Sequence, residues 1–153
     1  MARLTFTLGA FALWTIAWIQ PATAQSLGAQ IQSANEQLLN RGNLAGAADI
    51  FTADYTYHDT SGDVRGPEAI GQFVSGLRAA FPDLHVEVQI LMEQGDKVAW
   101  IRVHRGTQRG AYMGVPPSGR SIAWQELYVT RFEGGKIAEE WGASDLGARL
   151  RPP

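Results

Sequence analysis

Cysteine is absent from the 153-residue sequence, and this absence excludes several kinds of chemistry. Without cysteine the protein has no disulfide, no thiolate nucleophile and no lipid-modified cysteine, so the fold must rest on its core alone. An excess of charge of one sign is also absent, since 13 Lys and Arg face 15 Asp and Glu for a formal net charge of −2. This balance provides no basic surface for a nucleic acid or an anionic lipid. We therefore expect no nucleic-acid partner.

Long hydrophobic runs are absent except near the N terminus. Arg3 precedes a largely apolar stretch over residues 4–19, Pro21 ends it, and Ala22-Thr23-Ala24 has the small-x-small pattern of a signal peptidase site. The stretch has about 16 residues, fewer than the ~20 that span a bilayer, which disfavours a membrane anchor. We expect a signal peptide over residues 1–24, cleaved after Ala24, and one mature domain over residues 25–153. The predicted location is secreted or periplasmic, with no membrane association after cleavage.

The mature chain shows helical periodicity first and strand periodicity afterwards. Apolar spacing predicts helices over 25–39 and 44–51, and a third that begins near Gly66-Pro67-Glu68 and ends at Pro82. A short β-prone segment lies at 55–59, and from residue 84 a period of two predicts strands over 84–93, 97–108, 121–132 and 136–141. Hairpin turns are expected at 95–96 and 133–135, and a loose tail at 149–153. This order is typical of an α+β fold.

Several short motifs are informative through their joint order and spacing. They are His58-Asp59, Gly66-Pro67-Glu68, Phe81-Pro82-Asp83-Leu84, Gly106-Thr107-Gln108-Arg109-Gly110, a Pro-Pro-Ser-Gly-Arg loop ending at Arg120, and a Gly-Gly-Lys-Ile turn ending at Ile137. With these motifs the chain resembles the SnoaL-like polyketide cyclase family, which belongs to the nuclear-transport-factor-2-like superfamily. The resemblance covers nearly the whole mature chain. It implies a cone-shaped, curved antiparallel sheet wrapped around N-terminal helices, a deep apolar pocket and a homodimer formed through sheet faces.

The resemblance also implies a chemistry without metal or organic cofactor. In the characterised cyclases this is intramolecular aldol ring closure on an aromatic polyketide ester, which needs a base beside a carbonyl and donors for the enolate oxygen. The leading hypothesis is therefore acid–base chemistry, an aldol-type cyclisation or isomerisation, on a small apolar carbonyl compound. One alternative is a non-catalytic protein that binds a small apolar or aromatic ligand, which the export signal favours. Another is an epoxide hydrolase, which needs an Asp-Arg-Asp set around one water.

Three residues are candidates for proton transfer. Asp59 resembles, by its position, the catalytic Asp of ketosteroid isomerases, although it could instead end a strand and cap the next turn. Glu126 shares a strand face with Trp124 and Tyr128, and it would be a base with a raised pKa if that face lines the cavity. The alternative is a solvated face. His58 lies beside Asp59 and would face the opposite way in a regular strand, as a pocket residue or an ordinary histidine.

Further residues are candidates for substrate binding. Asn35 resembles the position of the isomerases' catalytic Tyr, and Tyr128 that of their oxyanion-binding Asp. Gln108 stands where many family members have His, so it keeps hydrogen bonding but cannot shuttle a proton at neutral pH. His104, four residues earlier on the same strand face, could substitute for it.

Aromatic and basic residues complete the prediction. Trp124 and Trp141 supply either core or a flat apolar surface for a ligand. Arg102, Arg105 and Arg109 are interpreted as a solvated rim. The sequence contains no metal-ligand cluster, and we expect no metal.

Overall fold

The structure is a computed structural model that describes residues 25–59 and 62–151. The predicted signal peptide over residues 1–24 lies outside the described residues, so it stays a prediction. No helix within the described part of the chain is long and apolar enough to cross a bilayer.

Helices and strands follow one another in the order expected of an α+β fold. The helices are α1 (Leu27–Asn35), which continues as a π-helical turn (Glu36–Asn40), α2 (Ala47–Ile50), α3 (Glu68–Ala80) and α4 (Leu146–Leu150). The strands are β1 (Phe51–Asp59), β2 (Gly62–Arg65), β3 (His85–Gln94), β4 (Lys97–Thr107), β5 (Ser121–Glu133) and β6 (Lys136–Ser144). The predicted fold class is confirmed.

One six-stranded sheet carries the fold, with strand order β2-β1-β6-β5-β4-β3. The run from β3 to β6 is antiparallel, as predicted, and the hairpin turns use Gly95 and the pair Gly134-Gly135 at positive φ. Left-handed backbone favours glycine, which explains why glycines mark these turns. β1 is different, because it runs parallel to β6. The sheet is therefore mixed rather than wholly antiparallel.

Two segments differ from the sequence-based expectation. The helix predicted over 44–51 is confined to Ala47–Ile50, because Phe51 pairs with Ile137 and opens β1. The tail predicted to be loose from residue 149 contains the end of α4. Leu146 and Leu150 are one helical turn apart and both are buried, so α4 is held by packing.

Strict alternation along β4 and β5 gives the sheet one buried face. In β5 the buried positions begin at Ile122 and recur at every second residue through Phe132. The expectation that Trp124, Glu126 and Tyr128 share an inward face is therefore confirmed. Register shifts in β3 and in β6 bend the sheet so that this face curves around α1 and α3. The space between this face and the helices is where the polar residues collect.

Candidate active site

A cavity of about 240 Å³ lies between α1, α3 and the inner face of the sheet. Aliphatic and aromatic side chains form most of its wall, among them Leu38, Ile70 and Phe73. The polar groups in the wall are Asn35, Tyr55, Tyr57, Arg102, Glu126, Tyr128 and Glu140. An apolar cavity with a few convergent polar groups is the usual form of a small-molecule site.

Strand register brings the central ion pair together. Arg102 on β4 lies directly opposite Glu126 on β5. Its Nε donates to Glu126 Oε2 at 2.9 Å, and one terminal nitrogen donates to the same oxygen at 2.5 Å. Arg102 is only 7% exposed, so the predicted solvated rim is wrong for this residue and holds for the exposed Arg105 and Arg109. The alternation that buries Trp100 and His104 also turns Arg102 inward.

The guanidinium of Arg102 is fixed by two further acceptors. It donates to Asn35 Oδ1 at 3.1 Å and to the Tyr128 hydroxyl. Asn35 is itself oriented, because its amide donates to the Ile31 carbonyl one turn back at 2.9 Å. Four of the five guanidinium N–H groups thus have described partners. The remaining one is on the terminal nitrogen that binds Asn35, and Arg102 itself lines the cavity.

Glu126 is held as an anion. Its Oε2 accepts from Arg102, from the Tyr128 hydroxyl at 2.9 Å and from His104 Nε2 at 3.1 Å. Burial alone would raise the pKa of Glu126, but the Arg102 charge and the His104 hydrogen bond outweigh it and hold this pKa well below the usual range. Burial also lowers the pKa of His104, which stacks on Trp124 with 4.4 Å between ring centroids. A carboxylate with such a low pKa is a weak base.

Glu140 is a second buried carboxyl in the cavity wall, and its pKa is shifted in the opposite direction from that of Glu126. Its Oε2 accepts from the Tyr55 hydroxyl at 2.7 Å, and its Oε1 accepts from the Thr130 hydroxyl at 2.9 Å. Thr130 in turn accepts from Trp100 Nε1 at 2.8 Å. Burial raises the pKa of Glu140 above the ordinary 4.5, although the two hydrogen bonds and the Arg102 charge oppose the rise. Glu140 is therefore more readily protonated than Glu126, and it lies in the same cavity wall.

Sequence reasoning missed Glu140 and Tyr55 as site residues. Simple alternation did not point to Glu140, because the extra residue Ala138 breaks the period of two between the cavity-lining Ile137 and Glu140. Tyr55 reaches Glu140 only because β1 adds to the sheet in parallel beside β6. That pairing joins segments about 85 positions apart, and no local pattern encodes it.

Close packing of two tyrosines narrows the cavity near β6. Gly142 lies opposite Tyr128 in the sheet, and a Cβ added there would come within 2.7 Å of the Tyr57 hydroxyl. Only glycine leaves room for this approach. Burial raises the pKa of Tyr57 to about 12, so its hydroxyl stays protonated at neutral pH.

Three predicted site residues are not among the residues that line the cavity. His58 Nδ1 is 2.9 Å from Asp63, and its ring stacks on Trp141 with 4.8 Å between centroids. Trp141 is 39% exposed. Asp59 is exposed at the end of β1. The structure thus does not bring His58, Asp59 or Trp141 together with Glu126.

Gln108 and Trp124 are buried but also lie outside the cavity wall described above. Gln108 holds the Pro-rich loop, donating to the Pro116 carbonyl at 3.1 Å and accepting from Ser118 Oγ at 2.7 Å. Trp124 packs between His104 and Phe81. Of the predicted binding residues, Asn35 and Tyr128 line the cavity. His104 does not line it but is hydrogen-bonded to Glu126, which does.

No group of three His, Asp or Glu side chains within residues 25–59 and 62–151 is arranged to hold a metal ion. His104, Glu126 and Arg102 form a hydrogen-bonded cluster in which the cation is a guanidinium.

Comparison with known proteins identifies the family. Residues 29–151 match the family described as SnoaL-like polyketide cyclase. The chain belongs to this family. The resemblance inferred from the sequence motifs is confirmed.

One relative of known sequence and two of known structure are similar to this chain. Nogalonic acid methyl ester cyclase of Streptomyces nogalater is 30% identical over 87 residues, a match that spans 56% of this chain and 65% of that protein. IdmH of Streptomyces antibioticus, a proposed polyketide cyclase, is 31% identical with a TM-score of 0.65, covering 81% of this chain and 96% of that one. AclR of Streptomyces galilaeus, a proposed hydroxylase, is 29% identical with the same TM-score, covering 81% and 83%.

Proposed function

We propose that this SnoaL-like protein catalyses cofactor-free acid–base chemistry, an aldol-type cyclisation or isomerisation, on a small apolar carbonyl compound. The observation that carries the proposal is Glu140, a buried carboxyl with a raised pKa in the wall of an apolar cavity that also contains a rigidly held Arg102. Acid–base catalysis needs a group whose pKa approaches the working pH. Family membership supports the same class of reaction.

The proposed reaction begins with proton transfer to Glu140. Its carboxylate takes a proton from the carbon beside the substrate carbonyl, and the electron pair of the C–H bond moves onto the carbonyl oxygen. The remaining N–H of Arg102 donates to this enolate oxygen, at the place where negative charge develops. In an aldol closure the enolate carbon bonds to a second carbonyl carbon, and Glu140 returns the proton to the new alkoxide. In an isomerisation the proton returns to another carbon.

Glu140 is a better base than the two carboxylates proposed from sequence. Glu126 is neutralised by Arg102 and bonded by His104, so its affinity for a proton is low. Asp59 is exposed outside the cavity wall. Glu126 instead orients Arg102, and Asn35 and Tyr128 complete that orientation.

Deuterium exchange tests this proposal. The purified protein is incubated in D2O with a panel of β-keto esters and aromatic ketones, and exchange beside the carbonyl is followed by NMR. We expect Glu140→Gln to lose at least about 10²-fold of the exchange rate, the usual contribution of a general base. Asp59→Asn is the matched control and should retain the rate. Exchange that is lost in Asp59→Asn and kept in Glu140→Gln would contradict the assignment.

A second candidate function, epoxide hydrolysis, is favoured by the position of Arg102 between two carboxyls. Arg102 interacts with both Glu126 and Glu140, whose pKa values are driven in opposite directions, as an acid and base pair requires. Glu126 would orient a water by accepting a hydrogen bond from it. The protonated Glu140 would give its proton to the epoxide oxygen as the C–O bond breaks and the water oxygen bonds to the carbon, and its carboxylate would then take up the proton that this water loses. Incubation with epoxides in ¹⁸O-water tests this, and formation of labelled diol would favour it over enolate chemistry.

A protein that only binds its ligand is the remaining alternative. Trp100 lines the cavity, so its fluorescence reports occupancy directly. Aromatic ketones that quench this fluorescence while showing neither exchange nor hydrolysis would favour the binding protein.

We also propose export and dimerisation, which rest on the sequence signals and on exposed apolar residues. Leu127 and Val129 on β5 and Trp141 on β6 are 50%, 37% and 39% exposed on the outer sheet face. A second copy of the chain would cover them. Dimerisation is tested by light scattering of the wild type and of Leu127→Glu. Export is tested by N-terminal sequencing of the secreted protein, which should show cleavage after Ala24. A monomeric wild type, or an uncleaved N terminus, would contradict these proposals.

A further inference from the structure

The hydrogen-bond chain behind Glu140 runs in one fixed direction. Trp100 Nε1–H can only donate, and its described acceptor is Thr130 Oγ1 at 2.8 Å. The Thr130 hydroxyl has a single hydrogen, which is then left to donate to Glu140 Oε1 at 2.9 Å. Trp100 and Thr130 are 1% and 0% exposed, so water does not compete for these bonds. Glu140 Oε1 is consequently committed to accepting.

The other oxygen of Glu140 has a partner that can reverse its role. The Tyr55 hydroxyl lies 2.7 Å from Oε2, and a tyrosine hydroxyl can either donate or accept. Tyr55 therefore donates when Glu140 is ionised and can accept when Oε2 carries a proton. Burial keeps the pKa of Tyr55 well above its usual range, so it does not itself become an anion.

We propose that Trp100 and Thr130 are positioning residues that place the exchangeable proton of Glu140 on Oε2, beside Tyr55. Oε2 is then the oxygen that gives the proton to the substrate and takes it back, while Oε1 remains the carbonyl oxygen. The role of this oxygen in catalysis rests on the proposed function. Proton placement itself is a property of the free protein.

Other titratable groups near Glu140 do not alter this assignment, because none contacts Oε1 in the described bonds. They are Tyr55 and Tyr57 of β1, Arg102 of β4, and Glu126 and Tyr128 of β5. Arg102 and Glu126 act on Glu140 through their charges alone and affect both of its oxygens together. The choice between the oxygens is therefore made by the hydroxyls of Thr130 and Tyr55.

Infrared spectroscopy distinguishes the two oxygens without a substrate. The C=O stretch of protonated Glu140 is isolated as the difference between wild type and Glu140→Gln at pH 4.5, the ordinary pKa of a glutamate. A carbonyl that loses a hydrogen bond absorbs at higher wavenumber. If Oε1 is the carbonyl oxygen, Thr130→Val shifts the band upward, Tyr55→Phe leaves it in place, and Thr130→Ser retains the wild-type band.

The titration of the same band provides a second readout. A hydrogen bond donated to the carboxylate favours the ionised form, so Thr130→Val should also shift the titration to higher pH. Because this variant leaves Trp100 Nε1–H without an acceptor, Trp100→Phe combined with Thr130→Val is used if the single variant unfolds. The double variant should show the same upward band shift.

A band that moves in Tyr55→Phe and stays in Thr130→Val would place the proton on Oε1 and overturn the proposal. A band that moves in neither variant would overturn it as well. The expected band pattern together with unchanged deuterium exchange in Glu140→Gln would remove the proposed function and leave the proton placement intact. The two failures are therefore distinguishable.

Discussion

Two buried carboxyl groups in one cavity wall have opposite surroundings. Glu126, on β5, faces a guanidinium, an imidazole and a phenol, and against the effect of burial the guanidinium and the imidazole hold its pKa far below the ordinary value. Glu140, on β6, faces two hydroxyls, and burial raises its pKa. The comparison shows that burial alone does not decide protonation. A nearby cation holds one group ionised, while hydroxyl partners leave the other able to accept and release a proton.

Replacing Arg102, the cation beside Glu126, should have the largest effect on the free energy of unfolding. Arg102→Met leaves Glu126 as a buried charge without its partner, which typically costs about 3–5 kcal/mol of the free energy of unfolding. Urea denaturation at pH 7 measures it. The matched control is Arg105→Met on the same strand, which removes an exposed pair with Glu87 and should cost about 0–1 kcal/mol. Equal losses of unfolding free energy in the two variants would contradict this expectation. They would mean that the buried pair of Arg102 and Glu126 stabilises the fold no more than the exposed pair of Arg105 and Glu87 does.

Removing Glu140 should change the pH dependence of stability. Its folded-state pKa is raised above the ordinary 4.5, so its favourable contribution is present below that pH and is lost as pH rises through the folded-state value. Glu140→Gln does not titrate, and the variant should become progressively more stable relative to wild type above pH 4.5. Thermal unfolding across the pH range measures this divergence.

The control for Glu140→Gln is Glu139→Gln on the same strand. Glu139 pairs with Arg131 on the outer face, 2.9 Å from its Nε. This variant should change stability by about 0–1 kcal/mol. A stability difference for Glu140→Gln that stays constant with pH would contradict the raised pKa.

Removing the histidine beside Glu126 should have the smallest effect. His104→Gln loses one hydrogen bond and part of a ring stack, for a cost of about 1 kcal/mol at pH 7. The folded-state pKa of His104 is lowered below 6.5, so its contribution is present above that pH and is lost as pH falls. The difference between wild type and variant should therefore shrink below pH 6.5. A difference that grows toward acid would indicate a charged imidazole.

Strand periodicity predicted a large part of the site. The alternation along β5 correctly placed Glu126 and Tyr128 on the inward face, and the family resemblance correctly gave the α+β fold. The inward position of Asn35 was also expected from helical spacing. These features depend on local pattern, which a sequence records directly.

Partners that meet across strands were not predictable in the same way. Arg102 was assigned to a solvated rim together with Arg105 and Arg109, and the partner that allows its burial, Glu126, lies 24 positions away. Glu140 has a pKa raised by burial, and its hydrogen-bond partners Tyr55 and Thr130 reach it through one parallel and one antiparallel pairing. The register of those pairings, rather than the residue types alone, decides which carboxyl is ionised.

The most direct test of this account is a ¹³C NMR titration of the glutamate carboxyl carbons, with Glu126→Gln and Glu140→Gln used to assign the two buried signals. The account predicts that Glu140 titrates above pH 4.5 and that Glu126 remains ionised throughout the acid range in which the protein stays folded. A titration of Glu126 above that of Glu140 would contradict the central claim that Glu140 is the proton-transfer group of the cavity.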